Sequence, residues 1–422
     1  MSFVIDRGVT HTPKGLFLAL ESKVPIEGEL AMKPFEGITV LEFSTMITAS
    51  LAAMMLGEQG ARVIKVEPTE TGDPLRYIGA AKGGISSIFA NCNRGKESIR
   101  LDLKSANGQA IIREMATECD ILIHNFRPGV MDKHGLGTND LRSLNRRLIY
   151  IAISGFGANG PLSAAPAYDP VIQAHSGMTA AQGAGAQTFI RNLMCDKLTA
   201  YTAFQAASTA LYVRERLNEG QHIDLSMLDS AMFFLFPDAF QNHTLLDEDV
   251  VAQPLLSDML YDMTLTRDGG LTISAATEAQ RAGVLRALGK ESMMEDERFN
   301  SLEKLIANLK EYREILAESF AELTTNEALE RLQKNDVPCA RCHTLDEALS
   351  QEQLEASGSI QIQDHPLMGK LRTLRIPARF NGKPLPVGDP APAHGQHTDS
   401  VLESFGVTVS RVDQLRKEGV IA

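Results

Sequence analysis

One carboxylate in this chain sits where it could do covalent chemistry. Asp196 lies in "NLMCDKLTAYTAF", at the start of a run of small residues that reads as a helix, downstream of "SGFGANGPLSAAPAYDP" with Tyr168, Asp169 and Pro170 at its end. A carboxylate at a helix start has two uses. As an N-cap it accepts a hydrogen bond from a backbone N–H; as a nucleophile it attacks an activated acyl carbon and splits one difficult step into two easier ones. Residue type alone favours the cap. Cys195 beside it is a competing nucleophile, but a cysteine on a buried segment packs more often than it reacts.

Positive charge gathers in three loops: Arg76; Arg94 and Lys96 with Arg100 and Lys104; and Arg127 with Lys133. Most single basic residues are solvated surface. In a doubly wound sheet, however, the loops at the carboxyl ends of strands border the ligand crevice, where such charges meet phosphates. Two motifs point elsewhere and fail on context. Gly155, Gly157 and Gly160 match G-x-G-x-x-G after a predicted strand, yet Pro161 and the residues after it cannot open the helix that would hold a pyrophosphate. "CARCH", Cys339 to His343, matches a haem-attachment pattern, but follows a helix as an ordinary strand would and has no second ligand pair, so no metal is expected. His394 and His397 read as capping and packing residues ahead of a helix capped by Thr398.

The elements that must position these groups alternate. "ITVLEF" is a strand, "ASLAAMMLGEQG" a helix and "RVIKVEP" a strand; "SIRLDL", "ILIHNF", "RLIYIAISGFG" and "GQHIDLSML" follow as further strands separated by helices. Strands alternating with helices predict α/β architecture: a doubly wound, Rossmann-like parallel sheet with helices on both faces. Near residue 250 the character changes to a smaller α+β domain, with a hairpin turning at Asp268, Gly269 and Gly270 and a Thr324–Glu327 capping box. The expected division is an N-terminal extension, 1–34; a large domain, 35–225, completed by 345–422; and a linker with the small domain, 226–344.

Composition narrows the function. The chain has 422 residues, 44% hydrophobic and 22% charged, with a net charge of -12. It is large enough for two cores, and the acidic balance argues against nucleic acid, which needs a dense basic face. The first residues do not read as a leader and no run is apolar enough for a membrane span. Five scattered cysteines suit a reducing compartment, so a cytoplasmic location is expected.

From about Gly37 onward the chain resembles the family III CoA-transferases, the formyl-CoA and carnitine CoA-transferase family that also contains the α-methylacyl-CoA racemases. The resemblance is carried by "VLEFSTMITASLAAMMLGEQGARVIKVEP", "GDPLR", "NRGKESIRLDLK", "HNFRPGVMDKHGLG", "RLIYIAISGFGANGP", "AYDPVIQAHSGM", the Asp196 segment and "VPCARCHTLDEAL", in matching order and spacing. It implies that Asp196 is the nucleophilic aspartate. The implied cycle runs from a mixed anhydride with the donor acyl group to an aspartyl-CoA thioester, then to attack by an acceptor carboxylate and return of CoA. It implies an acyl-CoA and a small carboxylic acid as partners, coenzyme A thioester as substrate rather than a resident cofactor, and an interlocked homodimer.

Residue by residue, Asn125 and Lys133 align with positions that contact CoA, and Thr45, Met46 and Ile47 with the loop beside the reactive thioester; Arg76, Lys96 and Arg127 are further candidates for the phosphates. Lys133 replaces an Arg and so loses its two-pronged geometry. Thr45 and Ile47 replace a His and a Gln, which makes the pocket wall less polar. Tyr168 stands where the racemases carry a His; a phenol titrates near about 10 and shuttles protons poorly at neutral pH, which disfavours the alternative of α-proton abstraction. A third reading is a CoA-binding protein without catalysis. Around "QPLLSDMLYDM" there is no run of glycines like the one that closes over the active site in formyl-CoA transferases. Arg191, just before Asp196, is a candidate to pair with the second carboxylate of a dicarboxylic acid.

Overall fold

The structure is a computed structural model and describes residues 33–182, 187–247, 249–255, 257 and 261–422. Most of the expected extension 1–34, and part of the "QPLLSDMLYDM" segment, lie outside the described residues.

Six short strands rich in β-branched and large aliphatic residues build the central sheet: β1 (Thr39–Phe43), β2 (Arg62–Glu67), β3 (Lys96–Arg100), β4 (Ile121–His124), β5 (Ile149–Ser154) and β6 (His222–Ser226). They run parallel in the order β3-β2-β1-β4-β5-β6. This is the dinucleotide-fold order, which reverses direction between β1 and β4 and leaves a crevice beyond their carboxyl ends. Residues of each strand alternate between two cores. Val40, Ile121, Ile123, Ile149 and Ile151 face one, and Leu41, Phe43, Leu122 and Tyr150 face the other.

On the first face lie α1 (Thr48–Glu58) and the long α2 (Met194–Leu217). Ala49, Ala52 and Ala53 of α1 meet the same core as Ala200, Ala203, Ala207 and Ala210 of α2, all buried. Side chains this small let the two backbones come close, so the Asp196 end of α2 is brought to the start of α1. The next helix, α3 (Met227–Ala239), follows β6. The opposite face is covered by the helix Ala106–Glu118 and, from the far end of the chain, by α4 (Thr398–Ser404) and α5 (Val409–Lys417). Val401, Leu402, Val412 and Leu415 pack there against Leu101 and Ile111. His394 Nε2 meets the Pro68 carbonyl and His397 Nδ1 accepts from Ser98 N–H, so both are packing residues. The residue at the N-cap of α4 is His397 and not Thr398, whose hydroxyl instead accepts from Arg100 N–H.

The small unit holds a three-stranded antiparallel sheet: Thr264–Thr266, Gly269–Ile273 and Cys339–Arg341. "CARCH" is thus an edge strand of this sheet. The hairpin turns one step earlier than the sequence suggests: Gly269 pairs with Thr266, leaving Arg267 and Asp268 in the turn. The reason is Asp268, whose carboxylate accepts from Thr325 N–H and Oγ1–H at the head of the helix Thr325–Lys334.

Beneath the β1–α1 turn, six charges are buried together: Glu42, Glu67 and Asp73 against Lys65, Lys96 and Arg76. Lys65 Nζ meets Glu42 Oε1 at 2.8 Å and Asp73 Oδ2 at 3.0 Å, Lys96 Nζ meets Glu42 Oε2 at 2.6 Å, and Arg76 grips Glu67 through two nitrogens. Three acids and three bases leave the cluster neutral. Removing one partner strands the others in low dielectric, so Lys65→Met should cost about 3–5 kcal/mol. The expected result is a lowered calorimetric unfolding midpoint, partly restored by combining the change with Glu42→Gln; an unchanged midpoint would show that these charges are not coupled.

Candidate active site

Beyond the carboxyl ends of β1, β4 and β5 a cavity of about 550 Å³ opens, at the point where the strand order reverses. The turn after β1 supplies Thr45, Met46 and Thr48, and the turn after β4 supplies Asn125 and Arg127. The two turns are tied together: Thr45 N–H donates to Asn125 Oδ1 (3.1 Å) and Asn125 Nδ2 donates to the Thr45 carbonyl (2.7 Å). Met46 adopts φ 63°, unusual for a residue with a side chain, and its N–H donates to Asp73 Oδ1 (3.0 Å). The buried charge cluster therefore fixes a strained backbone at the cavity wall, the kind of strain that functional sites hold.

Asp196 lines the cavity from the first turn of α2. The helix begins two residues before it, with Leu193 at the N-cap, so Asp196 does not cap the helix. Among the described residues its side-chain hydrogen bond is from Thr48 Oγ1–H to Oδ1, at 2.5 Å. Its backbone is held by a second acid: Asp169 Oδ2 accepts from Asp196 N–H at 3.0 Å, while Asp169 Oδ1 takes the amide of Gln173 at 2.6 Å. Burial raises the Asp196 carboxyl to about 6, the Thr48 hydrogen bond works against that rise, and the neighbouring Asp169 adds to it. Cys195 is fully buried, and burial beside the same acids pushes its thiol up to about 12, which removes it as a nucleophile.

Several expected site residues meet here and others do not. Thr45, Met46, Asn125, Arg127, Tyr168 and Asp196 share the cavity. Tyr168 is 68% exposed at its mouth. Ile47 turns the other way, into a core with Leu75, Ile85 and Phe89, because the twist at Met46 directs the next side chain beneath the turn. Arg76 and Lys96, read as phosphate-facing, are instead buried in the ion cluster; Arg76 also stacks over the Phe89 ring at 3.8 Å. Burial, with Lys65 beside it, pulls Lys96 down to about 8. Lys133 is exposed and lies outside the cavity lining. Arg191 lines an adjoining cavity of about 350 Å³ that shares Asp169, Pro170 and Leu193 with the first.

Sequence reasoning gave no role to Thr48 or to the Asp169 carboxylate. The available signals were a hydroxyl directly after the reactive loop and an acid immediately before a proline at a helix start. Gly155 and Gly157 serve the loop itself: a Cβ on Gly155 would come within 2.3 Å of Ala167, and Gly157 has φ +85°.

The family model for CoA-transferase family III matches residues 35–398. The chain belongs to that family. Among its relatives, succinyl-CoA:glutarate CoA-transferase of Mus musculus is 30% identical over 397 residues, covering 93% of this chain and 91% of that protein. Succinate–glutarate CoA-transferase of Agrobacterium fabrum is 30% identical over 385 residues, covering 87% and 95%. A CAIB/BAIF family protein from Brucella suis superposes with a TM-score of 0.77 at 28% identity, over 89% of this chain and 100% of that one. This family III chain is a CoA-transferase enzyme that takes CoA thioesters as substrates.

The raised Asp196 carboxyl has a stability consequence. Its folded-state pKa of about 6 lies above the ordinary 3.8, so the folded state holds the proton more tightly. The associated stability is fully present below pH about 3.8 and is lost as the pH rises through about 6. Ionised Asp196 therefore destabilises the fold by up to about 3 kcal/mol at pH 8. Asp196→Asn should raise the unfolding midpoint at pH 8 and leave it nearly unchanged at pH 4; equal effects at both would refute the shift.

Proposed function

We propose that this enzyme moves CoA from an acyl-CoA donor to a free carboxylic acid through a covalent aspartyl-CoA thioester on Asp196. The observation that carries this reading is a half-buried carboxylate that is not the helix cap, is fixed on one side by Thr48 and Asp169, and opens on the other into the cavity. Asp196 attacks the donor thioester carbon, the C–S bond breaks and CoA leaves as thiolate, giving a mixed anhydride. The thiolate attacks the aspartyl carbonyl and releases the donor acid. The acceptor carboxylate then displaces CoA from Asp196, and CoA attacks the acceptor carbonyl to free the aspartate. Partial burial suits these intermediates, since anhydrides hydrolyse when water reaches them.

Arg127 and Lys133, exposed and without an ion pair among the described residues, are the cations we assign to the CoA phosphates. We assign the acceptor to the dicarboxylic acids. Arg191 stands in the cavity next to that of Asp196, where a second carboxylate would reach it, and the two relatives above are named for succinyl or succinate and glutarate. A homodimer is part of the same reading. Phe233 is 84% exposed and Leu246 90% exposed, with Phe234, Phe236 and Tyr212 also exposed, a concentration of apolar surface that a lone subunit rarely leaves in water.

Incubation with a reactive acyl-CoA followed by hydroxylamine should convert Asp196 to a hydroxamate, read by peptide mass. An unmodified peptide across acyl-CoAs that are turned over would sink the covalent route. The acyl-transfer rate should rise with pH as one ionisation with a midpoint near 6, because only the carboxylate attacks. Arg191→Ala should raise KM about tenfold for dicarboxylic acceptors, about 1.4 kcal/mol, and leave monocarboxylic acceptors unaffected; equal loss on both would remove Arg191 from recognition.

A further inference from the structure

We propose that Thr48 is a catalytic residue, its hydroxyl serving as the oxyanion donor for every step in which the Asp196 carbonyl carbon is attacked. The inference rests on the covalent reading of Asp196 and goes beyond it, to the group that makes this carbonyl electrophilic.

The geometry distinguishes the two carboxylate oxygens. Oδ1 accepts from Thr48 Oγ1–H at 2.5 Å, and among the described residues no hydrogen bond is made to Oδ2. The oxygen free to attack the donor thioester is therefore Oδ2. Once Oδ2 has bonded to the donor carbonyl carbon and the C–S electron pair has left with CoA, Oδ1 is the carbonyl oxygen of the aspartyl half of the anhydride. When the thiolate attacks Cγ, the C=O π pair moves onto Oδ1, and the Cγ–Oδ2 bond then breaks as the donor acid leaves with Oδ2. In the return half, the acceptor carboxylate attacks Cγ of the thioester, the same oxygen takes the charge, and the C–S bond breaks. Both tetrahedral intermediates place negative charge on the atom that Thr48 already faces. A donor preorganised at that position acts where charge develops.

The surroundings hold Thr48 in place for this task. It is the first residue of α1 and 3% exposed, and its β-branched side chain has restricted χ1 freedom. Ser44 of the preceding turn and Ser50 of α1 are hydrogen-bonded to each other and to Lys65 in the buried ion cluster. Among the described residues, the ionisable and charged groups facing Asp196 are Asp169 from the helix Asp169–His175, the neutral Cys195 thiol on α2, and Tyr168 and Arg127 along the cavity wall; the start of α1 contributes a hydroxyl. Attack by Oδ2 on the donor needs no donor at Oδ1, whereas attack on Cγ does, so the two chemical stages separate Thr48 from a purely structural residue.

Thr48→Val keeps the shape and removes the hydroxyl; Thr48→Ser keeps the hydroxyl. In rapid-quench experiments with acyl-CoA, read by the mass of the CoA adduct on the Asp196 peptide, which the anhydride does not give, Thr48→Val should form the Asp196 thioester about 10²–10³-fold more slowly than wild type, the loss expected for one oxyanion donor. KM for the acyl-CoA should be little changed, and the midpoint of the pH–rate profile should move upward. Thr48→Ser should recover most of the rate, and it serves as the test if the valine variant does not fold. A wild-type rate and midpoint in Thr48→Val, or a Thr48→Ser variant as slow as Thr48→Val, would overturn the assignment. Wild-type enzyme that never labels at Asp196 would overturn the covalent reading itself, a result visible before any variant is made.

Discussion

The site depends on the six charges buried beneath the β1–α1 turn. Ions in a protein interior each lose several kcal/mol of hydration, which is recovered only when their geometry is good and every partner is present. Here Glu42 is held between Lys65 and Lys96, and Lys65 also pairs with Asp73. Glu67, gripped by Arg76 and hydrogen-bonded by Ser98, is depressed to about 2 although burial opposes ionisation. The cluster is neutral as a whole and leaves no charge to spare for a ligand. Its role is mechanical: Lys65 reaches the Ser44 carbonyl and Asp73 takes the Met46 N–H, so the turn that forms one cavity wall is anchored from below.

That anchoring explains how an unfavourable arrangement persists above it. Met46 keeps a left-handed backbone and Asp196 keeps a carboxylate where burial and a neighbouring acid oppose its charge. Each is individually destabilising, and each faces the cavity. On the proposed covalent route this favours reaction, since a carboxylate poorly solvated in its resting state is a better nucleophile than one stabilised by several donors, and the Thr48 hydroxyl orients it. Asp169 adds to the same balance. It fixes the backbone of Asp196 while its charge discourages ionisation, so one side chain both positions Asp196 and helps raise its carboxyl.

Helix packing carries the remaining constraint. Alanines on α1 and α2 permit the close approach that sets Thr48 against Asp196, residues separated by most of the sheet's first five strands in the chain. A larger side chain at Ala203 or Ala52 would widen that spacing without touching either functional group. The C-terminal helices α4 and α5 close the opposite face, so the sheet that carries both turns is sandwiched by segments from the two ends of the described chain.

The sequence by itself determined the alternating β-α pattern, the parallel sheet, the family resemblance and the position of Asp196, because hydrophobic period and local motif are properties of consecutive residues. It also carried enough context to set aside the glycine motif and "CARCH", each of which needed a neighbouring element that is absent from its flanks. What only the tertiary structure decided was the fate of individual charges and hydroxyls. Arg76 and Lys96 look like the exposed cations Arg127 and Lys133 when read along the chain, and differ in that the fold buries them against Glu67 and Glu42. The place of Ile47 in the loop points to the pocket, and the backbone of Met46 turns it into the core. Thr48 and Asp169 were unremarked because their importance is a distance to Asp196, and a distance between separate elements is fixed by packing rather than by spacing along the chain.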